Sequence, residues 1–116
     1  MTTTIVLPVD EVRVREAIAP LLIDGEKAQE VHDVSPDHLV FTNRRLLLVD
    51  RQWLGTERTT YRSVPYRSIT EFSLCTAGDD AELVVSVHGA ADLRVALPRG
   101  TDAMSATETL ARHVLL

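Results

Sequence analysis

From Gly25 onward a turn-forming group interrupts the chain again and again, at Ser35-Pro-Asp, Asn43-Arg-Arg, Trp53-Leu-Gly, Pro65-Tyr-Arg, Gly78-Asp-Asp and Gly89-Ala-Ala. The segments between these breaks are short and their side chains alternate, so the region reads as a series of strands, not helices. Seven strands are predicted, over residues 27–34, 38–42, 46–50, 57–64, 69–76, 82–87 and 92–97. Phe72 and Leu74 oppose Glu71, Ser73 and Cys75, and Leu83, Val85 and Val87 oppose Glu82, Val84, Ser86 and His88. Leu93, Val95 and Leu97 oppose Asp92, Arg94 and Ala96 in the same way, and the first member of each set builds the core. Leu46-Leu-Leu-Val49 has no polar alternation, which predicts a strand covered on both sides.

A helix is predicted on either flank. Asp10 can cap a first one whose stripe is Val14, Ala17, Ile18 and Leu21, with Pro20 stopping it near Ala19. After Pro98 and Gly100, Thr101 or Asp102 can cap a second, with Ala103, Thr107, Leu110, Ala111 and Val114 on its apolar side. At 116 residues the chain fits one domain and can bury roughly two thirds of its unfolded surface. Its parts are an N-terminal helical segment, residues 1–21, and a larger unit, residues 22–116. The predicted architecture is mainly β: a strongly bent antiparallel sandwich whose open end the last helix plugs.

Composition excludes several classes. The hydrophobic share of 45% and charged share of 25% are those of a folded globular chain. Cys75 is the single cysteine, so no intrachain disulfide and no cysteine-based zinc site can form, and a reducing compartment is expected. The first residues lack the basic and long apolar parts of a secretory signal, so the expected location is the cytoplasm. The net charge of −5 argues against a general nucleic-acid binder. That charge is uneven: residues 41–70 hold six arginines against two acids, a balance of +4, which leaves −9 on the flanks.

The most distinctive stretch is Phe41-Thr-Asn-Arg-Arg-Leu-Leu-Leu-Val-Asp-Arg, followed by Gly55 and by Tyr61-Arg-Ser-Val-Pro-Tyr-Arg-Ser-Ile-Thr-Glu-Phe-Ser, then Ala77-Gly and Ala81-Glu-Leu. From about Leu22 to Leu115 the chain resembles the bacterial pleckstrin-homology (PH) domain family. That resemblance implies a PH-like bent sandwich of seven strands with a C-terminal helix, in agreement with the strand count. It also implies an interaction module, since some members assemble into rings through their sheets. The turn after Gly78 is shorter here than in many relatives, and the N-terminal helix lies outside the best-matched region.

Candidate functional residues fall into two groups. Arg44 and Arg45 in a turn, with Arg58 and Arg62 one period-two step apart from Thr60, form a candidate anion-binding face. The competing reading pairs them with Asp37, Asp50 or Glu57. Membrane lipid binding is not supported by the first two strands, because Lys27 to His38 is mainly acidic. Trp53 and Leu54 at a hairpin tip, with Cys75, Val84 and Ala96 on otherwise polar strand faces, are candidate partner contacts. His32 and His38 with Asp33 and Asp37 match no metal signature, and His88 and Asp92 read as a cross-strand pair. With no catalytic constellation, no metal set and no cofactor motif, the expectation is a non-catalytic scaffold that associates with itself or with another protein. The alternative is a binding module for an anionic lipid or phosphorylated ligand.

Overall fold

The computed structural model describes residues 9–34, 36–54, 56–99 and 101–115; the side chains of residues 9, 10 and 52–57 lie outside that description. The order is helix α1 (Val9–Ile18), strands β1 (Ala28–Val34), β2 (Asp37–Thr42), β3 (Arg45–Leu54), β4 (Thr56–Pro65), β5 (Ile69–Ala77), β6 (Asp80–Val87) and β7 (Leu93–Leu97), and helix α2 (Ala103–Val114). Short 3-10 turns follow α1 and β4. The seven predicted strands are all present. They form an antiparallel four-stranded sheet in the order β1-β2-β3-β4 and a three-stranded sheet in the order β5-β6-β7.

Period two decides which residues meet between the sheets. Leu39, Phe41, Leu46, Leu48 and Val64 from the first sheet pack against Leu83, Val85, Leu93, Val95 and Leu97 from the second. The intervening residues of the first sheet point the other way, and Val40, Leu47 and Val49 are buried beneath Val14 and Ile18 of α1. The unbroken Leu46–Val49 run is thereby explained: alternate members serve the sandwich and the helix. Arg15 fastens this helix by donating from Nη1 to the carbonyl of Ala28 at 2.9 Å.

Details of both helices differ from the sequence expectation. Helix α1 is already under way at Val9, so Asp10 lies inside its first turn and is not its cap. Ala17 and Leu21 are exposed, because a helix lying on a sheet needs only the narrow Val14–Ile18 stripe and Leu21 falls in the following 3-10 turn. In α2, Asp102 is the cap, accepting the Ser105 N–H at 3.0 Å. Its buried side is Ala106, Thr109 and Leu110, with Ala103 and Val114 packed alongside. Thr107 and Ala111 sit only half-buried beside that face, and the Thr107 hydroxyl donates to the Ala103 carbonyl. Among the described residues no helix is long and apolar enough to cross a membrane.

The β3–β4 hairpin outruns its predicted limits. Asp50 is followed by no turn former until Gly55, and the ladder continues through Trp53↔Glu57 to Leu54↔Thr56. Trp53 and Leu54 are therefore the last strand residues of β3, at the end of the hairpin, and their side chains lie outside the described residues.

The β5–β6 hairpin closes with two residues, since Ala77 pairs with Asp80 and Gly78 sits at φ 63°. A positive φ at the first central position is the type II′ arrangement that matches strand twist. A Cβ on Gly78 would meet nothing within 4 Å, so a side chain there is opposed by the backbone alone. Gly78→Ala is expected to lower stability by about 1 kcal/mol, read as a lower urea midpoint with an unchanged slope.

Candidate functional site

The three-stranded sheet has an inner face that fills the sandwich and an outer face that nothing among the described elements covers. Register fixes what the outer face presents. Cys75, Glu82 and Ala96 form one row across β5, β6 and β7; Ser73, Val84 and Arg94 form the next. Cys75 and Ala96 are exposed and Val84 is half-buried. The structure thus brings three of the five predicted contact residues together on one surface, and the other two are Trp53 and Leu54. Beside the first row lies a shallow hollow of about 350 Å³ lined by Cys75, Ala77, Asp80, Ala81, Glu82 and Ala96.

Charge frames this surface without filling it. Arg94 Nη1 lies 3.1 Å from Glu82 Oε1, a diagonal cross-strand pair, and Arg99 pairs with Asp79 next to the hairpin turn. Each partner is largely exposed, so each pair contributes at most about 1 kcal/mol. Between these pairs Cys75 and Ala96 are exposed and Val84 is half-buried.

The four arginines of the candidate anion face do not converge. Arg45 pairs with Pro65 on β4, on the outer side of the four-stranded sheet, whereas Arg62 lies opposite Leu48 and Arg58 opposite Gln52, both on the inner side. Arg62 reaches across to the β6–β7 loop, donating from Nη2 to the Ala91 carbonyl at 2.7 Å. Arg44, exposed in the β2–β3 turn, lines a hollow of about 270 Å³ together with Arg45, Ile23, Glu26, Ser63 and Pro65, so only these two of the four come together. The period-two argument for Arg58 and Arg62 holds, but the same period puts Arg45 on the opposite face.

Arg45 has a structural partner that sequence reasoning missed. Its Nε and Nη2 donate to Oε2 and Oε1 of Glu26 at 2.8 and 2.7 Å, a two-point fork on a carboxylate whose side chain is fully buried. Thr42 Oγ1 donates to Glu26 Oε2 at 2.7 Å and accepts the N–H groups of Arg44 and Arg45. The Ile23 N–H donates to Glu26 Oε1, and Arg45 also donates to Ser63 and to the Leu21 carbonyl. Asn43 stitches the same turn to residues 25–27 through its side-chain amide. The Arg45 hydrogen bonds, with lesser help from Thr42 and Ile23, outweigh burial and hold the Glu26 carboxyl down to about 2. The one usable signal in the sequence was an arginine in a tight turn, which needs a carboxylate somewhere; nothing local names Glu26.

The remaining sequence candidates are dispersed. His32 sits opposite Leu39 on the inner face and His38 opposite Val49 on the outer face, so β1 and β2 carry them to opposite sides of the sheet. Asp37 sits one residue beyond the last β2–β3 pair, His38↔Val49, where its Oδ1 accepts the Arg51 N–H, and burial, then the Asp37 charge, pushes the Asp50 carboxyl up. His88 and Asp92 are not a cross-strand pair: the β6–β7 ladder ends at Val85↔Leu93, and both fall in the loop beyond it. Cys75 stands on the open sheet, opposite Glu82.

Comparison with known proteins agrees with this geometry. The sequence matches the model of the bacterial PH domain over residues 2–114, which takes in α1 as well as the sandwich. It is similar to the uncharacterized protein YjqA of Bacillus subtilis, at 41% identity over 66% of the chain and 64% of that relative, so it spans less than two thirds of that protein. Among solved structures it is similar to a pleckstrin homology domain from Shewanella amazonensis, with a TM-score of 0.81 and 37% identity over 93% of this chain and 90% of that one. It is also similar to a DUF1696 family protein with a pleckstrin-homology domain from Shewanella loihica, with a TM-score of 0.75 and 34% identity over 93% and 98% of the two chains.

Proposed function

This chain belongs to the bacterial PH domain family, and we propose that it works as a non-catalytic interaction module that assembles with copies of itself through the outer face of its three-stranded sheet. The observation that carries this reading is the contrast between the two sheets. Helix α1 seals the outer face of the four-stranded sheet, while the corresponding face of the other sheet holds Cys75, Val84 and Ala96 in the open between two modest ion pairs. Small apolar groups in a polar frame suit a closely approaching, flat partner surface. The separation of Arg45 from Arg58 and Arg62 favours this reading over capture of a single anionic headgroup.

Light scattering coupled to size exclusion at micromolar concentration tests it. Wild type is expected to elute as a multimer, and Ala96→Arg and Val84→Arg, each placing a charge on the face, are expected to raise the dissociation constant at least about tenfold while melting as cooperatively as wild type. A wild-type chain that stays monomeric on concentration would overturn the proposal, as would multimers indifferent to both substitutions.

A further inference from the structure

A second surface feature lies away from the assembly face, where the edge strand β1 meets the C-terminal turn of α2. Here Gln29, Glu30, Thr109, Arg112 and His113 line a cleft of about 390 Å³, within the size range of small-ligand sites. A bulge at Gln29 creates it. The register steps from Ala28↔Thr42 to Glu30↔Phe41, so Glu30 and His32 point into the sandwich side, where Val34 continues the row.

This wall is polar where a sandwich would ordinarily be apolar, and it is not internally satisfied. Glu30 Oε2 and His32 Nε2 are shielded atoms without a hydrogen-bond partner, 3.9 Å apart and an ion pair only when His32 is protonated, while the Glu30 side chain as a whole is 37% exposed. His32 is held edge-on to Phe41, with ring centroids 5.7 Å apart. A part-exposed carboxylate with an oxygen that makes no hydrogen bond has capacity left for a donor that enters the cleft.

The helix end at the cleft favours positive charge, although Arg112 and His113 themselves line it. Thr109, Arg112 and His113 belong to the last turns of α2, the negative end of its dipole. Tyr66 and His113 stack at 4.2 Å with planes 20° apart, giving an aromatic wall. Burial first, then the negative charges of Glu26 and Glu30, pushes the Tyr66 hydroxyl upward, and that hydroxyl donates to the Thr42 carbonyl at 2.7 Å. Arg112 is neutralised at the rim by its pair with Glu108.

We propose that the cleft between β1 and α2 binds a protonated primary amine, with Glu30 as the counter-ion and the His113 ring, backed by Tyr66, against the alkyl part. The ammonium group has two sources, a free small amine or the side chain of a lysine in a partner segment. The chemistry is the same in both.

Titration of the 15N-labelled full chain by NMR tests the site. One arm uses n-butylammonium chloride, the other the peptide acetyl-Gly-Lys-Gly-amide; sodium chloride and sodium acetate at matched ionic strength are the controls. Saturable shifts of the amides of Gln29, Glu30, Thr109 and His113 are expected with the amine and not with either control. A response to the amine alone assigns the free ligand, and a response to both arms assigns the lysine side chain as well. Glu30→Gln keeps the shape and removes the charge, so it is expected to weaken binding at least about tenfold and to melt at or above the wild-type temperature. No saturable shift, equal affinity in Glu30→Gln, or a loss of more than about 5 °C in its melting temperature, which would make Glu30 a structural partner of His32, would each overturn the assignment.

Discussion

Arg45→Met is expected to cost about 3–5 kcal/mol at neutral pH, and Glu26→Gln about 1–3 kcal/mol. The asymmetry follows from burial. Glu26 has no exposed side-chain surface, while Arg45 keeps 20% of its own, so an abandoned carboxylate stays dry and an abandoned guanidinium can turn to water. Loss of Arg45 also frees the Ser63 hydroxyl and the Leu21 carbonyl from their donors. The pH dependence separates this from simple loss of packing. In wild type the Glu26 carboxyl is held down to about 2, so its contribution, on the order of 3 kcal/mol, is fully present above the unfolded value of 4.5 and is lost as pH falls toward 2. In Arg45→Met the unpaired carboxylate is expected to titrate above its unfolded value, so that variant gains stability over the same descent. Urea unfolding at pH 7 and pH 3 should therefore show the gap between wild type and Arg45→Met closing. A gap below 1 kcal/mol at pH 7, or one that does not change with pH, would mean that the pair is not what secures this turn.

This knot changes the reading of the sequence's most distinctive stretch. Thr42, Asn43 and Arg45 are each committed to holding the β2–β3 turn against residues 21–26, so the motif that marks the family works as architecture. Arg44, exposed in the same turn, joins that network through its backbone N–H, which donates to Thr42 Oγ1. The strands were legible because their information is local. Leu83-Val-Val-Ser-Val87 and Leu93-Arg-Val-Ala-Leu97 declare their faces by period two, and Leu46–Val49 declared burial on both sides by lacking that period. What covered its second side was not local, and neither was the partner of Arg45, nineteen residues upstream in a polar run, Asp24-Gly-Glu-Lys, that reads as an ordinary loop.

Register was the other hidden variable. Arg45 and Arg62 looked like members of one cluster until the β3–β4 ladder put them on opposite faces, and nothing short of the full hairpin register decides that. At Gln29 a single extra residue separates Ala28, which faces α1, from Glu30 and His32, which face the sandwich. An alternation count that assumes no bulge puts all three on one side, and the β1–α2 cleft then disappears from view. The outer face of the second sheet was readable for the opposite reason: β5, β6 and β7 carry Cys75, Val84 and Ala96 through regular pairing.

Ile18→Ala is expected to cost about 2–5 kcal/mol, as much as a substitution in the centre of the sandwich, although the residue lies in a flanking helix. Ile18 is 0% exposed and shares a buried cluster with Val14, Val40, Leu47 and Val49. If α1 folds with the sheet as one cooperative unit, a single urea transition will move to a lower midpoint without a change of slope. A double-mutant cycle sharpens the point. Ile18→Ala and Leu47→Ala touch the same cluster and should couple by about 0.5–3 kcal/mol, whereas Ile18→Ala and Leu83→Ala lie in different clusters and should add. A cost below about 1 kcal/mol, or a separate early transition, would make α1 a detachable strap. That outcome would also bear on assembly, because a lifted helix uncovers Val40, Leu47 and Val49 and turns a sealed sheet face into a second adhesive one. Ile18→Ala should therefore increase non-specific association while Ala96→Arg weakens the specific kind proposed above, and only a molecule with one sealed and one open sheet face responds in opposite directions to the two changes.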